Sequence, residues 1–104
     1  MLLTRLEVIA LYGLRDSLID EIIALAKKHR LSSVTIFGSR ARGDYRERSD
    51  IDLAVSGGDV PRFALDVEET ATLLVFDIVN LDRPVQPELL ESIQREGRCL
   101  YEKV

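Results

Sequence analysis

The sequence predicts one small α/β domain (α+β in its mixing), a small mixed β-sheet with helices packed on it. Three observations carry that prediction. Short β-branched apolar runs alternate with longer amphipathic ones, so strands and helices are interleaved along the chain. Gly and Pro stand at the borders of those runs. The 104 residues are 46% hydrophobic and 31% charged, enough apolar chain for one core and too much for a disordered protein. Residues 1–104 therefore read as a single domain, without internal repeats or low-complexity segments.

The first twelve residues fit neither the helical nor the strand period. Arg5 and Glu7 interrupt their apolar run, which makes a poor signal peptide. Nothing elsewhere approaches the ~18–20 apolar residues of a membrane span, so no membrane partner and a cytoplasmic location are expected. After Gly13, SLIDEIIALAKKHR places Leu18, Ile19, Ile22, Ile23 and Ala26 at helical spacing. Ser17 with Asp20 has the form of a capping box, and Lys27, Lys28 and Arg30 suit the negative end of the helix dipole. His29 reads as a surface residue of that last turn.

VTIF, residues 34–37, is a short buried strand ended by Gly38, and IDLAV, 51–55, is a second, stopped by Ser56, Gly57 and Gly58. A helix is expected from about Pro61 to Thr70, because Pro is tolerated in a first helical turn. LLVFDIVNL, 73–81, is the third strand. Pro87 opens the helix PELLESIQRE, Gly97 closes it, and RCLYE adds a short final edge strand. The lone Cys99 cannot form an intramolecular disulfide or a thiolate-rich zinc site, and reads as a small buried hydrophobe.

A net charge of −4 argues against broad capture of DNA or RNA, which leaves a basic footprint. Any polyanion must be gripped locally, and GSRARGDYRERSDIDLAV, residues 38–55, is where the means lie. A glycine directly after a buried strand lets backbone approach a ligand. Ser39 offers a hydroxyl and an N–H to phosphate oxygens, and a helix starting there would add its unpaired N–H groups. Arg40 and Arg42 are candidates to grip phosphate. Gly38 and Gly43 have P-loop spacing, but Asp44 and Tyr45 occupy the positions of the required Lys and Ser/Thr, and no G-x-G-x-x-G occurs. Tyr45 reads as an exposed loop residue, and Arg46 and Arg48 as solvated charges.

Asp50, Asp52 and Ala54 alternate onto one strand face, with Ile51, Leu53 and Val55 on the other. Alone, such a pair is an ordinary solvent face. Joined to Gly38-Ser39, two like charges about 7 Å apart suggest a cation between them, and hard oxygen ligands suit Mg²⁺. Asp77 lies within an otherwise apolar strand, where a carboxylate is costly unless paired or bound to a cation. The alternatives are an edge strand with Asp77 facing water, or Asp82 in its place, although Asp82 precedes Arg83-Pro84 and looks like a turn residue.

The strand VTIF, then GSRARG, ten residues between Ser39 and Asp50, then DID, resembles the nucleotidyltransferase superfamily that includes DNA polymerase beta. Size and motif wording look most like the minimal nucleotidyltransferases of prokaryotes, commonly encoded beside a HEPN-domain protein and often its antitoxin. The resemblance implies a polymerase beta-like nucleotidyltransferase fold. Gly38 and Ser39 would hold a nucleoside triphosphate, with Arg40 and Arg42 beside it. Asp50, Asp52 and Asp77 would be the catalytic acids and ligands of two Mg²⁺ ions. It implies transfer of AMP from ATP to a protein hydroxyl, a tyrosine of a HEPN toxin. A binding module that neutralises its partner without turnover remains open, as does transfer to a small molecule such as an antibiotic. Missing walls of the site would come from a partner, the acceptor, or a second copy in a homo-oligomer.

Overall fold

Apolar residues at helical period produce α1, Asp16–Lys28, whose buried stripe is Leu18, Ile19, Ile22 and Ala26. The computed structural model describes residues 12–70 and 72–103, so most of the apolar N-terminal stretch lies outside the described residues. The Ser17/Asp20 capping box is not formed. The helix starts earlier, with Arg15 as N-cap and no side-chain cap, which leaves Ser17 inside the first turn. Its other end closes in a Schellman turn. Leu31 N–H donates to Ala26 O (2.9 Å) and Arg30 N–H to Lys27 O (3.1 Å), with Arg30 in the left-handed region at φ 58°.

The strands are β1 (Ser33–Phe37), β2 (Ile51–Ser56), β3 (Phe76–Asn80) and β4 (Arg98–Glu102). They form one four-stranded sheet in the order β3-β2-β1-β4. β1 runs antiparallel to both β2 and β4, and β2 and β3 are parallel, so the sheet is mixed as expected. The parallel pair requires a crossover, supplied by α3, Val60–Val67. The Asp59 side chain caps α3 by accepting Arg62 N–H at 3.2 Å.

α1 and α3 cover one sheet face. Their apolar stripes meet Val34 and Ile36 of β1, Ile51, Leu53 and Val55 of β2, and Leu100 of β4 in the main core. His29 contradicts its surface assignment. Its side chain is only 9% exposed, and Nε2 lies 2.7 Å from Asp66 Oδ2, tying the end of α1 to α3. That hydrogen bond holds the Asp66 carboxyl below its ordinary pKa.

The opposite face is more thinly covered. α4, Pro87–Glu96, buries only Ile93, against Phe37 and Ala54, with Val79 and Leu81 packed beside them. Gly97 ends α4 for reasons of space. A Cβ there would strike the Ile93 carbonyl and lie 2.7 Å from Thr35 Cγ2. The third strand is shorter than expected, because pairing begins where Ile51 N–H meets Val75 O. Upstream, Leu74 N–H donates to Thr72 Oγ1 and Thr72 N–H to Thr70 O, a turn that leaves Leu73 fully exposed. Among the described residues, no helix is long and apolar enough to cross a membrane.

Since Ile93 is the one buried anchor of α4, Ile93→Ala is expected to lower the unfolding free energy by about 2–3 kcal/mol. Urea denaturation followed by circular dichroism measures this. A loss below about 0.5 kcal/mol would show that α4 is held by other contacts.

Candidate active site

β1 runs toward the sheet end at which β2 and β3 begin, and register alone gathers the sequence motif there. Phe37 is opposite Asp52 across the antiparallel pair, and Asp52 is opposite Asp77 across the parallel pair. One row therefore crosses three strands, ending in two adjacent carboxylates on the α4 side of the sheet. Asp50 stands two residues before Asp52, just ahead of β2. Asp77 is exposed on the edge strand β3, which is the water-facing alternative for its strand. Its presence therefore needs no compensation for burial, and what places it at the site is its neighbour Asp52. Asp82 lies at the far end of the parallel pair, where its Oδ2 accepts Gly57 N–H at 2.8 Å. It is a turn residue, roughly 16 Å along the strands from the acidic row.

Directly after Phe37 the chain turns into a short helix, α2, Gly38–Arg42, with Phe37 at its N-cap and no side-chain cap. Gly38 adopts φ +75°, and a Cβ there would be driven into the Asp52 carboxylate, 3.0 Å from its Cγ. Both the conformation and the close approach require glycine. Gly38 and Ser39 thus sit beside Asp52, with the first-turn N–H groups of α2 outside any helical ladder.

The carboxylates repel one another. Asp52 is half-buried, and its pKa is pushed from 3.8 up to about 6. Burial is the largest cause, the charges of Asp77 and Asp50 add to it, and Arg42 partly offsets them. Among the described residues, no three carboxylate, imidazole or thiol groups close around one point as a ready-made cage. The donor set is a convergent pair with a third acid nearby, all hard oxygens in an open position. That fits Mg²⁺, which uses one or two carboxylates and completes its shell with water and substrate phosphates.

The two arginines part company. Arg42 is exposed, with Nε 3.3 Å from Asp44 Oδ2 and Nη1 3.2 Å from Glu96 Oε1, so it bridges α2 and α4 close to Asp52. Arg40 corrects its assignment to the nucleotide. It is 1% exposed, and its guanidinium donates to the carbonyls of Ser49, Tyr12 and Glu47. Tyr45 is also corrected: its ring is half-buried, 4.9 Å from the Arg40 guanidinium and packed on Gly13. Arg46 and Arg48 are exposed, as expected. Glu96 was missed, although an acid at a helix C-terminus opposes the dipole and signals a cationic partner.

The Asp52 shift gives a pH test. In the unfolded chain Asp52 titrates near 3.8, and in the cation-free fold near 6, so the fold binds the proton more tightly. Its contribution to stability is complete below the unfolded value and is lost as pH rises through the folded one. With chelator present, Asp52→Asn should therefore melt above the wild type at pH 8 and lose that advantage at pH 4. Parallel melting profiles across that range would contradict the electrostatic picture.

Comparison with known proteins agrees with this geometry. Residues 20–104 match the family described as polymerase beta, nucleotidyltransferase. A Methanocaldococcus jannaschii protein named as a protein adenylyltransferase is 34% identical over 90 residues, covering 75% of this chain and 88% of its own. A structure described as a minimal nucleotidyltransferase superposes with a TM-score of 0.62 at 32% identity, over 79% of this chain and 88% of that one. A crystal structure of a toxin–antitoxin with AMP-PNP gives a TM-score of 0.67 at 25% identity, over 82% and 73% of the two chains. Sharing both fold and sequence with these proteins along most of its length, the chain belongs to the polymerase beta nucleotidyltransferase family.

Proposed function

We propose that the chain moves AMP from ATP onto a hydroxyl of a partner protein, a tyrosine of a HEPN-domain toxin, and thereby acts as its antitoxin. The observation that carries this reading is the row Phe37–Asp52–Asp77 with Gly38 folded against Asp52. It puts the Gly38-Ser39 turn directly beside an acidic pair. The relative named as a protein adenylyltransferase supports a protein acceptor. The toxin–antitoxin crystallised with AMP-PNP supports an adenine nucleotide and a toxin partner.

In this reading the Gly38 and Ser39 N–H groups and the Ser39 hydroxyl hold the triphosphate, and Arg42 faces its charge. Asp50 and Asp52 would hold two Mg²⁺ ions, one of them shared with Asp77. Bound Mg²⁺ supplies neutralisation of the triphosphate and of the pyrophosphate that leaves. The acceptor oxygen forms a bond to the α-phosphorus while the bond from that phosphorus to the bridging oxygen breaks. Asp77, exposed and beside Asp52, takes the hydroxyl proton and passes it to water. The protein's part is placement of charge and in-line orientation.

Incubation of the chain with α-labelled ATP, Mg²⁺ and its toxin partner should label the partner. Asp50→Ala and Asp52→Ala should each abolish the label while leaving complex formation intact. Undiminished labelling would refute the assignment of these acids. Full protection of cells by the label-free variants would instead mean that occlusion, without transfer, silences the toxin.

A further inference from the structure

The phosphate turn and the acidic strand are separated by the 43–49 loop, and little in that loop holds itself in place. Asp44, Arg46, Glu47 and Arg48 are exposed. The internal bonds found there are local: Arg46 N–H donates to Ser49 Oγ at 2.7 Å and Ser49 N–H to Arg46 O at 3.0 Å. A two-bond turn of this kind cannot by itself fix where the following residue, Asp50, emerges.

Arg40 supplies the missing restraint. From α2, its Nε donates to Ser49 O at 3.1 Å and its Nη2 to Glu47 O at 3.1 Å. Nη1 reaches the opposite way, to Tyr12 O at 2.7 Å, with Gly13 O at 3.5 Å. The Tyr45 ring covers the guanidinium at 4.9 Å. The Ser49 carbonyl belongs to the peptide plane that carries the Asp50 N–H, so the Nε bond orients the plane from which Asp50 departs. Burying a guanidinium costs desolvation, which lowers the Arg40 pKa, and an apolar side chain would avoid that cost. An apolar side chain would also leave the carbonyls of Ser49, Glu47 and Tyr12 without these donors.

We propose that Arg40 is a positioning residue, which fixes the Asp50 carboxylate relative to Gly38 and Ser39 by clamping the 43–49 loop to the helix that carries them. This rests on Asp50 being a metal ligand, as proposed above. With its guanidinium buried and donating to backbone carbonyls, Arg40 acts in this proposal through the loop and the Ser49–Asp50 peptide, not on nucleotide or acceptor. Its planar fork serves carbonyls on two separate stretches of backbone at once, 12–13 and 47–49, a geometry that a lysine ammonium does not reproduce.

The test compares the full chain with Arg40→Met and Arg40→Lys, well below their melting temperatures. It uses Mn²⁺ binding by electron paramagnetic resonance and amide hydrogen exchange. In Arg40→Met, Mn²⁺ affinity is expected to fall about 10–100-fold, the usual effect of losing a group that orients a ligand. Exchange should quicken at 46–50 and stay unchanged in α1 and β1, and Arg40→Lys should fall between. A folded Met variant with affinity within about twofold of wild type and unchanged exchange overturns the proposal. If the Met variant does not fold, the same criteria apply to Arg40→Lys. If the wild type itself binds no Mn²⁺, the metal reading of Asp50 fails, and exchange at 46–50 alone decides whether Arg40 clamps the loop.

Discussion

The contact between the Gly38 backbone and the Asp52 carboxylate sets the position of everything else in the site. Antiparallel register places Phe37 opposite Asp52, so the residue that follows Phe37 must pass directly over that carboxylate as the chain leaves the sheet. Only a residue without a Cβ fits, and only glycine adopts φ +75° there without strain. Parallel pairing then adds Asp77 on the other side of Asp52. Sheet register, a property of the whole fold, thereby brings two separate sequence motifs together at one sheet end.

That geometry works against stability. A half-buried carboxylate with two acidic neighbours is disfavoured in its ionised form, and Arg42 offsets this only in part because it is shared with Asp44 and Glu96. Elsewhere the fold treats acids differently: Asp66 is paired with His29 and Lys28, and Asp82 with a backbone N–H. Repulsion concentrated at one sheet end, while Asp66 and Asp82 are paired elsewhere, supports the proposal that this end takes up cationic charge from outside the chain. A family that handles nucleoside triphosphates provides the matching anion.

Much of the architecture was legible because it depends on local chemistry. Helical periodicity located α1, Pro87 and Gly97 marked the ends of α4, and β-branched runs located β1 and β2. The alternation of Asp50, Asp52 and Ala54 against Ile51, Leu53 and Val55 correctly separated the two faces of β2, with Ala54 packed under α4. What escaped the sequence depends on contacts distant along the chain. Nothing local distinguishes Arg40 from Arg42, yet one is buried among backbone carbonyls and the other is exposed. His29 looked like a helix-end cation because its partner, Asp66, is far away in sequence. Leu73 looked like strand because apolar composition cannot reveal where a ladder starts. Composition left Asp77 either a buried acid or a water-facing one on an edge strand, and the structure shows the second; its place beside Asp52 follows from strand pairing that spacing alone does not encode.

The central claim is that one sheet end, built from Gly38, Ser39, Asp50, Asp52 and Asp77, receives a divalent cation together with nucleotide phosphates. Paramagnetic broadening of amide resonances by substoichiometric Mn²⁺ in the presence of AMP-PNP tests it most directly, residue by residue. The amides of Gly38, Ser39, Asp52 and Asp77 are predicted to broaden first, with those around Asp82 and Glu88 unaffected. Sharp resonances at that sheet end, with broadening confined to acidic residues elsewhere, would contradict it.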